Sequence, residues 1–238
     1  TYRRVLQKAG DSPFPAVCEA HLGLARISCE WNDRDAAKRH GELSVQLAKQ
    51  FDQTDRVVAG ELLIARLKLA QGEESAASAI LTETEHFVRL HKFAKMMPRI
   101  AEDQVLLLLR LGNRAAAAKL AQQYGLPTSQ ARVHLARGEA SAAVSVLELA
   151  LDQAESKGLE DERLKVMVLL AIALHAQGDK KKAAQRLIDA LTMAAPGGFV
   201  RIFVDEGVPM YRLLGEAAAR GMMPDYVGRL LAAFEAEG

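Results

Sequence analysis

The chain has 238 residues, half of them hydrophobic but only 5% aromatic, and its 31 basic and 30 acidic side chains leave a net charge of +1. Such a balance gives no electrostatic case for a nucleic-acid surface, so direct nucleic-acid binding is not expected. No stretch approaches the roughly 18 uninterrupted apolar residues of a membrane span.

Ala, Leu, Glu, Arg, Lys and Gln dominate, residues that lose little rotamer freedom in a helix, whereas β-branched runs are almost absent. The fold class is therefore expected to be all-α. The sequence opens at Thr1 without Met, and Thr1 to Leu6 looks like the tail of a helix cut from something longer, so the chain is read as a fragment. Helices are then predicted over 14–30, 34–51, 54–71, 74–92, 96–111, 114–123, 127–137, 140–157, 160–177, 180–194, 206–220 and 224–236. Ser12-Pro13, Met97-Pro98 and Ala195-Pro196-Gly197-Gly198 punctuate them. Val166 to Leu174 reads as a buried helix face. Phe199 to Val204 alternates like a strand, but it has no sheet to join, and a short helix or extended linker is expected. Cys18 and Cys29 are eleven residues apart on one predicted helix, a rise of about 16 Å, which is too far for a disulfide. Free thiols and the lack of a leader segment point to a cytoplasmic setting.

The main signal is a repeat. Ala65-(6)-Gly72-Glu73-(3)-Ala77-(3)-Leu81 recurs from Ala131 as Gly138-Glu139, Ala143 and Leu147, and from Ala171 as Gly178-Asp179, Ala183 and Leu187. Val105, Gly112, Asn113, Ala117 and Ala121 form a further copy, and Leu24, Trp31, Asn32, Ala36 and His40 a weaker one in which Trp31 replaces the glycine. The first small residue lets two helices cross closely. The glycine ends the first helix in a left-handed conformation, and the acidic or amide residue suits the next helix start. The unit is an antiparallel helical hairpin of tetratricopeptide type. Turns at 31, 72, 112, 138 and 178 are separated by 41, 40, 26 and 40 residues, so one hairpin is clipped, around Tyr124-Gly125-Leu126-Pro127. The predicted architecture is an α-α superhelix, a solenoid of about five such hairpins over 1–195, with a C-terminal helical cap over 196–238.

Counted from the repeat, the inner wall of such an array includes Cys18, His21, Ser28, Arg66, Arg99, Glu102, Arg132 and His175. A ligand or partner is expected near Arg66, Arg99, Glu102 and Arg132, because arginine forks suit carboxylate, phosphate or sugar hydroxyl groups. A solvated wall of charge pairs, Arg99 with Glu102 among them, is the competing reading. Trp31 is expected to plug the space between hairpins, and Lys180-Lys181-Lys182 to be a solvated face. Glu73-Glu74 and Asp205-Glu206 are assigned to helix starts, where they complement the dipole. There is no Cys-x-x-Cys, His-Glu-x-x-His or Gly-x-Ser-x-Gly motif, and His86 and His91, five apart, fit one helix face poorly. No catalytic or metal residue is assigned, and the chain is not expected to be an enzyme.

Gly198-Phe199-Val200-Arg201-Ile202-Phe203-Val204-Asp205-Glu206-Gly207, followed by Met210, Leu213-Leu214, Tyr226 and Leu230 to Phe234, resembles the end of the helical-repeat region in large LuxR-type activators of the MalT kind. Glu30-Trp31-Asn32-Asp33 with Ala36-Ala37 also looks like that region. The resemblance implies a bacterial sensor and relay segment that receives a small-molecule inducer or a protein partner and controls self-association. No cofactor is implied here. ATP belongs to a nucleotide-binding module that precedes the repeats in that family, and a helix-turn-helix module follows them. A plain scaffold that docks a peptide in its groove is the alternative.

Overall fold

The computed structural model describes residues 2–9 and 15–236, and Ser12-Pro13 lies outside them. Among the described residues there are fourteen α-helices and no strand. In chain order they are α1 (Tyr2–Ala9), α2 (Pro15–Glu30), α3 (Arg34–Gln50), α4 (Thr54–Ala70), α5 (Glu74–Leu90), α6 (Met97–Arg110), α7 (Arg114–Gln123), α8 (Pro127–Ala136), α9 (Ala140–Ser156), α10 (Glu160–Gln177), α11 (Lys180–Ala194), α12 (Arg201–Val204), α13 (Val208–Ala219) and α14 (Pro224–Glu235). The fold is all-α, of tetratricopeptide-like hairpins, and Phe199 to Val204 contains the short helix α12.

Regularity is clearest in the turns. Left-handed residues fall at Asn32, Asp52, Gly72, Lys92, Gly112, Gly125, Gly138, Gly158, Gly178 and Gly198, a spacing of 20 except for two steps of 13 on either side of Gly125. Each closes in the same way, with the amide after the left-handed residue reaching back five residues, as Asp33 N donates to Ser28 O at 2.8 Å and Glu73 N to Lys68 O at 2.9 Å. This corrects the register of the first hairpin. The turn residue equivalent to Gly72 is Asn32, with φ of 60°, and Trp31 takes the place of Gln71. Its neighbours then fit the repeat better, since Ala25 and Ala37 match Ala65 and Ala77 and all four are fully buried. Trp31 is 51% exposed and is no interhairpin plug. Asn suffices at this place because its short side chain tolerates the left-handed region.

The clipping is shared by two helices. α7 and α8 have ten residues each against seventeen in α3, α5 and α9. Seven residues are nearly two whole helical turns, so the loss rotates the buried face by only about 20°.

The chain divides into two compact units, Thr1–Asn113 and Arg114–Gly238. In the first, the leading helices of successive hairpins are neighbours, α2 beside α4 and α4 beside α6, with α3 and α5 packed behind. Close approach is built in: a Cβ on Gly60 of α4 would meet Val45 Cγ2 of α3 at 2.5 Å. In the second unit α10 is central, buried without a break from Val166 to Leu174. Residues 196–236 share its core. Phe203, Met210, Leu214 and Leu230 are fully buried in one cluster with Leu187 and Leu191, each large side chain contributing about 1.5–3 kcal/mol. Asp33 and Asp179 cap α3 and α11 by accepting from Ala36 N and Lys182 N, whereas Glu73 and Glu139 make no such bond and instead meet Lys68 Nζ at 2.8 Å and His134 Nδ1 at 2.6 Å.

Asn32→Ala and Gly72→Ala are each expected to lower stability by about 1–2 kcal/mol, with Asn32→Gly neutral or slightly stabilising. Urea midpoints of the three variants test this.

Candidate functional site

The wall of the first unit is made by α2, α4 and α6, and two ion pairs define its stagger. Arg66 Nε of α4 donates to Asp103 Oδ1 of α6 at 2.6 Å, and Arg66 Nη2 lies 3.9 Å from Glu102 Oε2. Arg56 Nε of α4 donates to Glu19 Oε2 of α2 at 2.8 Å. Measured back from the left-handed residues Asn32, Gly72 and Gly112, Arg66 is six residues away and Asp103 nine, while Glu19 is thirteen and Arg56 sixteen. Both pairs give a shift of three residues per helix. Arg26, six residues before Asn32, therefore lies level with Leu63 of α4 and with Ile100, beside Arg99, on α6.

Arg26 and Arg99 are exposed. Partial loss of water, and then the charge of Arg99, hold the Arg26 guanidinium below the ordinary arginine value; Arg66 adds to this, while Glu19 and Tyr2 oppose it. The Tyr2 ring covers α2 at Gly23, where a Cβ would lie 2.3 Å from it. Arg66 is differently placed, since its partner Asp103 is completely buried. Glu102 faces Arg66 rather than forming the helical pair with Arg99 that the spacing suggests.

Other wall expectations resolve into packing. Cys18 is fully buried and is no wall residue: its thiol donates to Ser44 O at 3.4 Å, Ser44 Oγ donates to Cys18 O at 3.1 Å, and burial pushes the thiol pKa up. Ser28 is half-buried and its carbonyl closes the first turn. His21 and His40 join α2 to α3 through their Nδ1 atoms, 2.8 Å apart. One ring must donate and the other accept, so the bond requires at least one neutral imidazole and is lost when both are protonated. Burial, then His40, pushes the His21 pKa down; burial, then Arg39 and Arg3, does the same to His40 against the pull of Asp33.

In the second unit Arg132 and His175 are held by the C-terminal block. Arg132 Nη2 bonds Glu206 Oε1, with side-chain exposures of 24% and 12%, and His175 Nε2 lies 2.9 Å from Glu216 Oε1 on α13. Lowering of the Glu216 pKa, chiefly by His175, follows from that bond. The expected place of Asp205-Glu206 at a helix start is corrected as well. α12 ends at Val204 and α13 begins at Val208, and Asp205 pairs with the buried Arg201. A separate open crevice of about 170 Å³ lies in the first unit between α3, α4 and α5, lined by Val57, Ile80, Thr84 and Phe87 with the Lys49–Glu61 pair at its edge. Nothing in the repeat pattern marks it.

Compared with known protein families, the chain matches the model of the MalT-like TPR region over residues 1–220. It belongs to that family.

A MalT-like TPR region is a helical-repeat scaffold. Arg66, Arg99 and Glu102 share the wall of the first unit, where Arg26 joins them. That residue was legible in the sequence only through the register of the first turn, which the Trp31 alignment displaced by one. Among the described residues no helix is long and apolar enough to cross a membrane, and no group of His, Cys, Asp and Glu side chains is arranged to hold a metal.

Arg66→Ala removes a guanidinium bonded to a buried carboxylate, so folding does not escape the change. A loss of about 1–3 kcal/mol is expected in urea unfolding, largely recovered in the Arg66→Ala, Asp103→Asn double variant. The histidine pair gives a pH dependence. Both pKa values are lowered in the folded state, so the unfolded chain takes up protons first as the pH falls through about 6.5. Stability is expected to be level above about pH 7 and to decline below 6.5 toward the lowered values, with a shallower decline in His40→Gln, measured as urea midpoints across that range.

Proposed function

We propose that this chain is the inducer-sensing and protein-interaction segment of a LuxR-type, MalT-like transcriptional regulator, and that a small molecule or partner on the wall of its first unit biases self-association. The observation that carries this reading is the family match over residues 1–220. The exposed arginines on α2 and α6 support the location, because they are presented by rigid helices rather than by loops. In this reading the segment catalyses nothing itself, and ATP and DNA are contacted by other modules of the regulator.

The competing reading is a scaffold that docks a peptide. The two differ in what a small molecule does to assembly. Sedimentation velocity of the 238-residue chain is read with and without sugars, nucleotides and carboxylic acids, with Trp31 fluorescence followed in parallel. At least one compound is expected to shift the association constant by about tenfold or more, equivalent to about 1.4 kcal/mol. An association constant unmoved by every compound would overturn the sensing function.

A further inference from the structure

We propose that Arg26 and Arg99, brought within one residue of the same level across α4 on the wall of the first unit, form a binding site for an anionic ligand bearing a carboxylate or phosphate group. The proposal deepens the reading of this wall as a sensing surface and rests on it for its biological meaning.

Three observations converge on the site. The first is position. Arg26, Arg66 and Arg132 all stand six residues before a left-handed turn residue, at Asn32, Gly72 and Gly138. Two of these repeat-equivalent guanidinium groups bond a carboxylate from elsewhere in the same unit: Arg66 holds Asp103, and Arg132 holds Glu206. Glu19, whose charge acts on Arg26, is committed to Arg56 at 2.8 Å. The second observation is the stagger. The shift of three residues per helix, given independently by Arg66–Asp103 and Arg56–Glu19, sets Arg26 level with Leu63 on α4 and with Ile100 on α6, the neighbour of the exposed Arg99. The third is charge. Two exposed guanidinium groups that repel each other are relieved by one anion that both can bond, and each fork can grip a carboxylate or phosphate through two N–H groups.

Inorganic phosphate and succinate serve as the two probes, each titrated by calorimetry at low ionic strength, with sodium chloride at matched ionic strength as the blank. At least one probe is expected to bind the unaltered chain. Arg26→Gln and Arg99→Gln should each raise its Kd by tenfold or more, while Lys119→Gln, the same loss of charge on the exposed face of α7, leaves it unchanged. Far-UV circular dichroism confirms that the variants are folded. A stronger response to phosphate or to succinate assigns the class of group. Binding of neither probe, or equal binding by the two arginine variants and the unaltered chain, overturns the site. The outcome is separable from sensing. Anion binding without a change in association leaves the site standing and removes the sensing role. A neutral compound that alters association while both probes fail does the reverse.

Discussion

The left-handed turn is the constraint from which the other features follow. A helix leaves its last carbonyls without partners, and here each is closed by one residue of positive φ and an amide reaching back five positions. That closure reverses the chain within three residues. It also fixes the phase at which the next helix begins, and with it which residues face inward. A turn recurring every 20 residues places the small residue before it and the alanine after it at the same crossing in each hairpin. Ala25 with Ala37 and Ala65 with Ala77 are fully buried for this reason. Were the spacing to drift by one residue, each following helix would rotate by about 100° and turn its apolar stripe away from its neighbour.

The same constraint explains how much could be read from the sequence. Helix limits agree with the structure to within two residues because Gly, Asn and Asp at the turns are required by backbone conformation. The error at Trp31 has a physical origin as well. Glycine is the expected left-handed residue, and the first hairpin uses Asn32, so a search for glycine or its substitute settled on the wrong neighbour. Lys92 was hidden, since lysine does not announce positive φ, and Asp52 signals it less strongly than a glycine would. Partners of charged side chains were the least legible. Spacing alone suggested Arg99 with Glu102 on one helix, but the fold offers Arg66 to Glu102 from the adjacent helix. Arg132 meets a carboxylate 74 positions away. Long-range pairing of this kind depends on the stagger between helices, which no local pattern encodes.

Burial distinguishes the polar contacts that hold the fold from those left for other uses. Asp103 is wholly enclosed, so the guanidinium beside it offsets the desolvation cost of a buried carboxylate. Cys18 with Ser44, and His21 with His40, likewise spend their polar atoms on joining α2 to α3. Of these, Cys18 and His21 fall on the wall by sequence count; Cys18 is fully buried, whereas His21 is half-buried. Arg26 and Arg99 differ in being exposed, although Arg26 loses part of its water.

The shortened helices show how one residue position acquires different roles. Loss of about two helical turns from α8 returns each remaining side chain almost to its former direction, so Ala131 and Val133 remain buried and Arg132 keeps the place that Arg66 holds in α4. What changes is the length of helix ahead of that arginine, and therefore what lies within its reach. In the second unit that neighbour is the segment after α12, which brings Glu206 to Arg132 while Phe203 of α12 enters the core. The C-terminal block is thus fastened to its unit by apolar burial and by a carboxylate that a wall arginine accepts. An arginine at this point of the repeat is a carboxylate receptor by geometry, and the source of the carboxylate varies with what the chain places opposite it.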